Sequence, residues 1–219
     1  MNKSPLVMCL TNAVASEFTA NALLAIGAKP AMVSEPEEAA ELAAKADAVL
    51  VNLGTVDVRQ AAAMRAAVAA LAGCGTPWTL DPVGCQLLAF RRALAEEFLA
   101  AKPTLVRGNH AEIDFLKGTV PELMRPLTTL STGEIDRLGD GREIRGGVPM
   151  LQTVTATGCI QGALAAALLG RGLPAPDAAE AVSRLMKSAG ELAWSRARTP
   201  GSFRTALVDA LWELRDFRP

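Results

Sequence analysis

The chain has 219 residues, 22 Lys and Arg against 23 Asp and Glu, and a formal net charge of −1; half of its residues are apolar and only 4% are aromatic. A disordered chain needs low hydrophobicity and high net charge, so this composition excludes one. The balanced charge leaves no basic face for nucleic acid or an anionic membrane surface, and no uncharged apolar stretch reaches the roughly 18 residues of a membrane span.

Short, continuous apolar runs over 6–10, 31–33, 48–53, 78–80, 104–106 and 127–130 read as strands covered on both faces. Between them, Ala-rich segments of helical period lie over 16–26, 36–44, 58–71, 87–100 and 111–117, most of them closed by Gly or Pro. This alternation predicts an α/β fold, a mostly parallel sheet with helices on both faces, whose ligand site lies at the carboxyl ends of the strands. After Leu130 the pattern changes. Short runs over 136–138 and 143–145 flank Gly139-Asp140-Gly141, a hairpin signal, and three helices follow over 158–169, 176–196 and 202–214. No linker or repeat interrupts the chain, so one domain over 1–219 is expected. The four cysteines have no zinc spacing, and the first apolar run is too short for a signal peptide; a reduced, cytoplasmic setting is the expectation.

Four clusters can carry chemistry. Thr155-Ala156-Thr157-Gly158-Cys159 runs straight into an Ala/Leu helix. The first N–H groups of such a helix have no partner within it and sit at the positive end of its dipole, where anions bind. The same position is expected to depress the pKa of Cys159; the alternative is a small-residue turn with a buried, inert thiol. Asp81-Pro82-Val83-Gly84 ends a strand, so Asp81 either points into the crevice, where it can hold Mg²⁺ through water, or caps a turn. In Arg107-Gly108-Asn109-His110-Ala111-Glu112, Asn109 and Glu112 have the spacing of a capping box; the functional reading gives Glu112 to a metal–water–phosphate network and Arg107 to nucleotide phosphates. His110, the only histidine, reads as an exposed helix-start residue. Thr132-Gly133 offers a hydroxyl for a phosphate or for a turn. Walker A, GxGxxG and GxSxG patterns are absent, which excludes P-loop, dinucleotide and hydrolase-elbow sites.

Taken in order, Leu10-Thr11-Asn12, Phe18 to Ala28, Pro30-Ala31-Met32, Asn52 to Thr55, Leu80 to Gly84, Arg107 to Glu112, Thr132 to Asp136 and Thr157-Gly158-Cys159 resemble the hydroxyethylthiazole kinase family over nearly the whole length. That resemblance implies a ribokinase-like three-layer sandwich. It implies an enzyme that phosphorylates the hydroxyethyl group of 4-methyl-5-(2-hydroxyethyl)thiazole with ATP and Mg²⁺ in thiamine salvage. By the same resemblance Cys159 is the catalytic residue, Met32, Ala156, Asn21 and Gly158 bind the thiazole alcohol, Arg107, Thr132 and Asn109 contact ATP, and Glu112 and Asp81 stand near the metal. It also implies a homotrimer with sites between subunits. Departures from the family pattern are Ala156 in place of the first Gly of its GTGC loop, a short stretch over 116–132, the missing helix before the first strand, and Met8-Cys9 in place of a more polar pair. A Cβ at 156 narrows access to the backbone where Gly holds its conformation cheaply. These departures keep two other readings open: a kinase of another small hydroxyalkyl heterocycle, and a weakly active thiazole- or nucleotide-binding homologue.

Overall fold

In the computed structural model, residues 4–216 are described; the ends of the expected 1–219 domain lie outside them. The described strands are β1 (Leu6–Leu10), β2 (Lys29–Met32), β3 (Ala48–Asn52), β4 (Trp78–Asp81), β5 (Leu105–Asn109), β6 (Thr128–Thr132), β7 (Asp136–Leu138) and β8 (Glu143–Ile144). They form one sheet in the order β2-β1-β3-β4-β5-β6-β7-β8. The first six strands run parallel, while β7 and β8 are antiparallel and close through the expected Gly-Asp-Gly hairpin. The direction of winding reverses between β1 and β3, and a crevice opens there at the carboxyl ends.

The helices are α1 (Ala13–Ala25), α2 (Pro36–Ala43), α3 (Val58–Leu71), α4 (Ala89–Ala100), α5 (His110–Thr119), the single turn α6 (Pro121–Met124), α7 (Thr157–Gly170), α8 (Ala175–Arg196) and α9 (Pro200–Glu213). Successive side chains of one strand enter different cores. Val7, Cys9, Ala48 and Leu50 face α1, α7, α8 and α9, whereas Met8, Leu10, Val49 and Val51 face α2, α3 and α4. The two-sided burial explains why the central strands read as unbroken apolar runs. β2 is the exception. It lies at the sheet edge with both ends exposed, so its expected burial on both faces is corrected. The sequence pattern also passed over α6 and a 3₁₀ turn at Pro149–Gln152, both started by proline.

α7 is buried from Ile160 to Gly170. Its small residues let it lie close on the sheet: a Cβ at Gly162 would stand 3.1 Å from Leu50 and 3.5 Å from Asp81 Oδ2. This approach carries the first turn of α7 over the carboxyl ends of β3, β4 and β5.

Candidate active site

The strands β3, β4, β5 and β6 each end on a polar residue: Asn52, Asp81, Asn109 and Thr132. Asn12 follows β1 and caps α1, its carbonyl oxygen accepting from Ala15 N–H at 2.9 Å. Beneath the start of α7 these groups form a relay. Asn12 Nδ2 donates to Asn52 Oδ1 at 3.1 Å and reaches Cys159 Sγ at 3.7 Å. Asn52 Nδ2 donates to Asp81 Oδ2 at 2.7 Å. Asp81 is wholly buried, and its other oxygen, Oδ1, has no hydrogen-bond partner; the Arg107 guanidinium is 3.5 Å away, without hydrogen-bond geometry. Burial pushes the Asp81 carboxyl up to about 7, because loss of water disfavours its charge more than Arg107 restores it.

Two clefts meet at this place. One, of about 510 Å³, is lined by Asn12, Asp81, Glu112, Ala156 and Cys159 among others. The other, of about 490 Å³, is lined by His110, Thr132, Asp136, Gln161 and Lys187 among others. Arg107, Asn109, Gln152, Thr157 and Gly158 belong to both walls. Arg107 Nη2 donates to Thr132 Oγ1 at 2.8 Å, and Nε donates to Gln161 Oε1 at 3.2 Å. A Cβ on Gly158 would lie 2.8 Å from Arg107 Nη1, so only glycine lets the guanidinium pass under the first turn of α7.

Two expectations are corrected. The Cys159 thiol is not depressed: burial, with Asp81 next, pushes it up to about 11. Arg107, Asn12 and Asn52 pull it down, but by less than the lost hydration raises it. His110 starts α5 as expected but is not exposed. It is half-buried, with Nδ1 2.6 Å from Ser131 Oγ. Asn21 and Met32 are outside both clefts: Asn21 bonds Glu17 on α1, and Met32 is exposed at the end of β2. The other candidates, Asp81, Arg107, Asn109, Glu112, Thr132, Ala156, Gly158 and Cys159, line one cleft or both.

The bland reading of Asn109 and Glu112 describes part of their structure. Asn109 Oδ1 accepts from Glu112 N–H at 2.9 Å and Glu112 Oε2 accepts from Asn109 N–H at 2.8 Å, a full capping box. Glu112 Oε1 also accepts from Gly84 N–H at 2.8 Å, tying the turn after β4 to α5. Among the described residues no cluster of three or more His, Cys, Asp or Glu could hold a metal. Magnesium keeps several waters and needs one or two carboxylates; Glu112 and Asp81 line the same cleft and would hold such an ion through water.

Ala156 precedes α7 at φ 69°, ψ 2°, in the left-handed region, without a side-chain cap. The sequence argument about a Cβ at this position therefore has a geometric basis: the backbone adopts the conformation that Gly holds cheaply. Asn12, Asn52, Gln161, Asp136 and Lys187 were not among the candidates. For Asn12 and Asn52 the signal was a polar residue at the end of an apolar strand, and for Gln161 a polar residue inside an apolar helix.

The hydroxyethylthiazole kinase family model matches residues 1–130 and 125–216. The chain belongs to the hydroxyethylthiazole kinase family. Its relatives include the hydroxyethylthiazole kinases of Serratia proteamaculans, 41% identical over 97% of this chain and 90% of that protein, and Klebsiella pneumoniae, 43% identical over 96% and 91%. The structure of the hydroxyethylthiazole kinase from Pyrococcus horikoshii superposes with a TM-score of 0.88 at 34% identity, covering 96% of this chain and 88% of that one. The pyridoxal kinase of Staphylococcus aureus, at 16% identity, a TM-score of 0.64 and coverage of 87% and 89%, shares the ribokinase-like fold. The two family-model segments overlap at 125–130, inside the stretch over 116–132. The chain is thus an α/β kinase of the hydroxyethylthiazole kinase type. Among its described residues no helix is long and apolar enough to cross a membrane.

Proposed function

We propose that this protein transfers the γ-phosphoryl group of ATP to the hydroxyethyl group of 4-methyl-5-(2-hydroxyethyl)thiazole, as one cytoplasmic kinase domain. The observation that carries this reading is the meeting of two clefts at one helix start, with Cys159 on one side and Arg107 with Thr132 on the other. Phosphoryl transfer needs two ligands in line and stabilisation of charge between them more than it needs covalent chemistry. The alcohol occupies the cleft of Cys159, Ala156 and Asp81, and the nucleotide occupies the cleft of Thr132 and Asn109.

The transferring group meets the unpaired N–H groups of Thr157, Gly158 and Cys159 at the positive end of α7, with Arg107 beside them. Cys159 is a neutral thiol at pH 7, given its pKa of about 11. It therefore orients the alcohol and does not deprotonate it. The hydroxyl oxygen attacks the γ-phosphorus, the bond to the leaving ADP oxygen breaks, and the hydroxyl proton passes to Asp81, whose pKa of about 7 suits that task. Mg²⁺, held through water by Glu112 and Asp81, would supply further positive charge to the phosphates.

Asn21 and Met32 fit a site shared with a neighbouring subunit of a homotrimer, because they are on the molecule's own surface and outside its clefts. The deciding experiment measures ATP consumption with and without the thiazole alcohol. Turnover that depends on the alcohol supports the kinase reading, while alcohol binding without turnover makes the protein a binding homologue. A native mass of three chains supports the shared site, and a monomer removes Asn21 and Met32 from it.

A further inference from the structure

In the nucleotide-side cleft Arg107 stands at the end of a line of buried polar groups that the chemistry above does not use. Arg107 Nε donates to Gln161 Oε1 at 3.2 Å, Gln161 Nε2 faces Asp136 Oδ2 at 3.5 Å, and Ser183 Oγ donates to that same oxygen at 2.6 Å. Asp136 Oδ1 accepts from Gly133 N–H at 3.0 Å, and Lys187 Nζ is 3.5 Å away. Gln161, Asp136 and Ser183 are all buried, and they come from α7, β7 and α8.

The chemistry of the neighbours permits one orientation of Gln161. A guanidinium only donates and a carboxylate only accepts, so an amide between them must turn its oxygen to Arg107 and its NH₂ to Asp136. Leucine would leave Arg107 Nε unpaired, and glutamate would set a second carboxylate against Asp136. With Nε held by Gln161 and Nη2 held by Thr132, the planar guanidinium is fixed at both ends. The missing side chain at Gly158 gives the guanidinium its space there, since a Cβ would stand 2.8 Å from Nη1. Released from Gln161, Arg107 is drawn to Asp81, the carboxylate already 3.5 Å from its Nη1.

We infer that Gln161, oriented by Asp136 and Ser183, is a positioning residue that holds Arg107 in line for the transferring phosphate. The inference rests on the reading of Arg107 as a phosphate-binding residue, and a double-mutant cycle separates the two. Steady-state kinetics with ATP and the thiazole alcohol are measured for the full chain, Gln161→Leu, Arg107→Gln and the double variant. Gln161→Leu is expected to lower kcat/KM for ATP about tenfold or more, the loss of one hydrogen bond to a charged group. In the Arg107→Gln background the same change should cost less than about twofold, because residues that act as a unit are not additive.

Losses that multiply would overturn the positioning role and leave Arg107 in place. An Arg107→Gln variant with wild-type kcat/KM would instead remove the phosphate-binding reading, and the inference with it. If Gln161→Leu does not fold, as judged by its melting curve, the cycle is run with Ser183→Ala at the far end of the line. There the expected loss is about threefold, a fraction of one hydrogen bond to a charged group because Ser183 reaches Arg107 only through Asp136 and Gln161, and it should vanish with Arg107→Gln. An unchanged Ser183→Ala would overturn the role in that case.

Discussion

Asp81 and Asp136 are buried aspartates at the same end of one sheet, and the fold treats them in opposite ways. Asp136 starts β7 and has four groups around it: the Ser183 hydroxyl, the Gly133 N–H, the Gln161 amide and the Lys187 ammonium. Asp81 ends β4 and has one full hydrogen bond, from Asn52 to Oδ2, while its Oδ1 has only the Arg107 guanidinium at 3.5 Å and no hydrogen bond. A buried charge is costly unless it is paired and hydrogen-bonded. The structural carboxylate is satisfied. The other is left short of hydrogen bonds, and the residue lines the cleft that contains Cys159. Unsatisfied burial next to a cleft marks the site more clearly than burial alone.

Four measurements test that contrast. The largest effect is expected for Asp81→Asn, which should lower kcat by two to four orders of magnitude, as loss of a general base does, while unfolding free energy holds or rises. A kcat within about threefold of wild type, far below that range, would remove Asp81 from the chemistry. Asp136→Asn should act on stability instead, costing about 3–5 kcal/mol in denaturant unfolding because Lys187 is left without its carboxylate. An unchanged midpoint would mean that the pairs around Asp136 carry little net energy.

The third measurement is the pH dependence of both properties. Asp81 binds its proton more tightly folded, with a pKa of about 7 against an ordinary 3.8. Its contribution to stability is therefore lost as pH rises from about 4 through about 7, and kcat/KM should rise through that upper value. Opposite slopes in wild type, and a flattened stability slope in Asp81→Asn, are the expected outcome; parallel slopes would assign the titration elsewhere. The smallest effect belongs to Ala156→Gly. Relief of the left-handed alanine should raise stability by about 1 kcal/mol, less the entropy glycine gains unfolded. A variant that melts lower would show that the methyl contributes packing worth more than the strain.

Much of the fold was legible because burial on two faces leaves a pattern. β1, β7 and α3 occupy the residues that periodicity assigns them, and the hairpin follows its Gly-Asp-Gly turn. The exposed edge of β2 was not legible, since four residues of Lys-Pro-Ala-Met carry no period and their position in the sheet is a tertiary fact. The site was partly legible. Asp81, Arg107, Thr132 and Cys159 stand at strand ends or a helix start, places that sequence can find. Asn12 and Asn52, which link Cys159 to Asp81, come from loops and strands far apart in the chain, and nothing local announces their contact.

Sequence by itself determined the alternation of strands and helices and the small-residue start of α7, because each follows from side-chain size and spacing within a few residues. The protonation of Cys159 and Asp81 was decided only in three dimensions. Hydration is lost when α7 closes over the sheet, and the neighbours that offset that loss come from other elements. A thiol that local reasoning would make acidic is therefore held neutral, and a carboxylate that would titrate near 4 does so near 7.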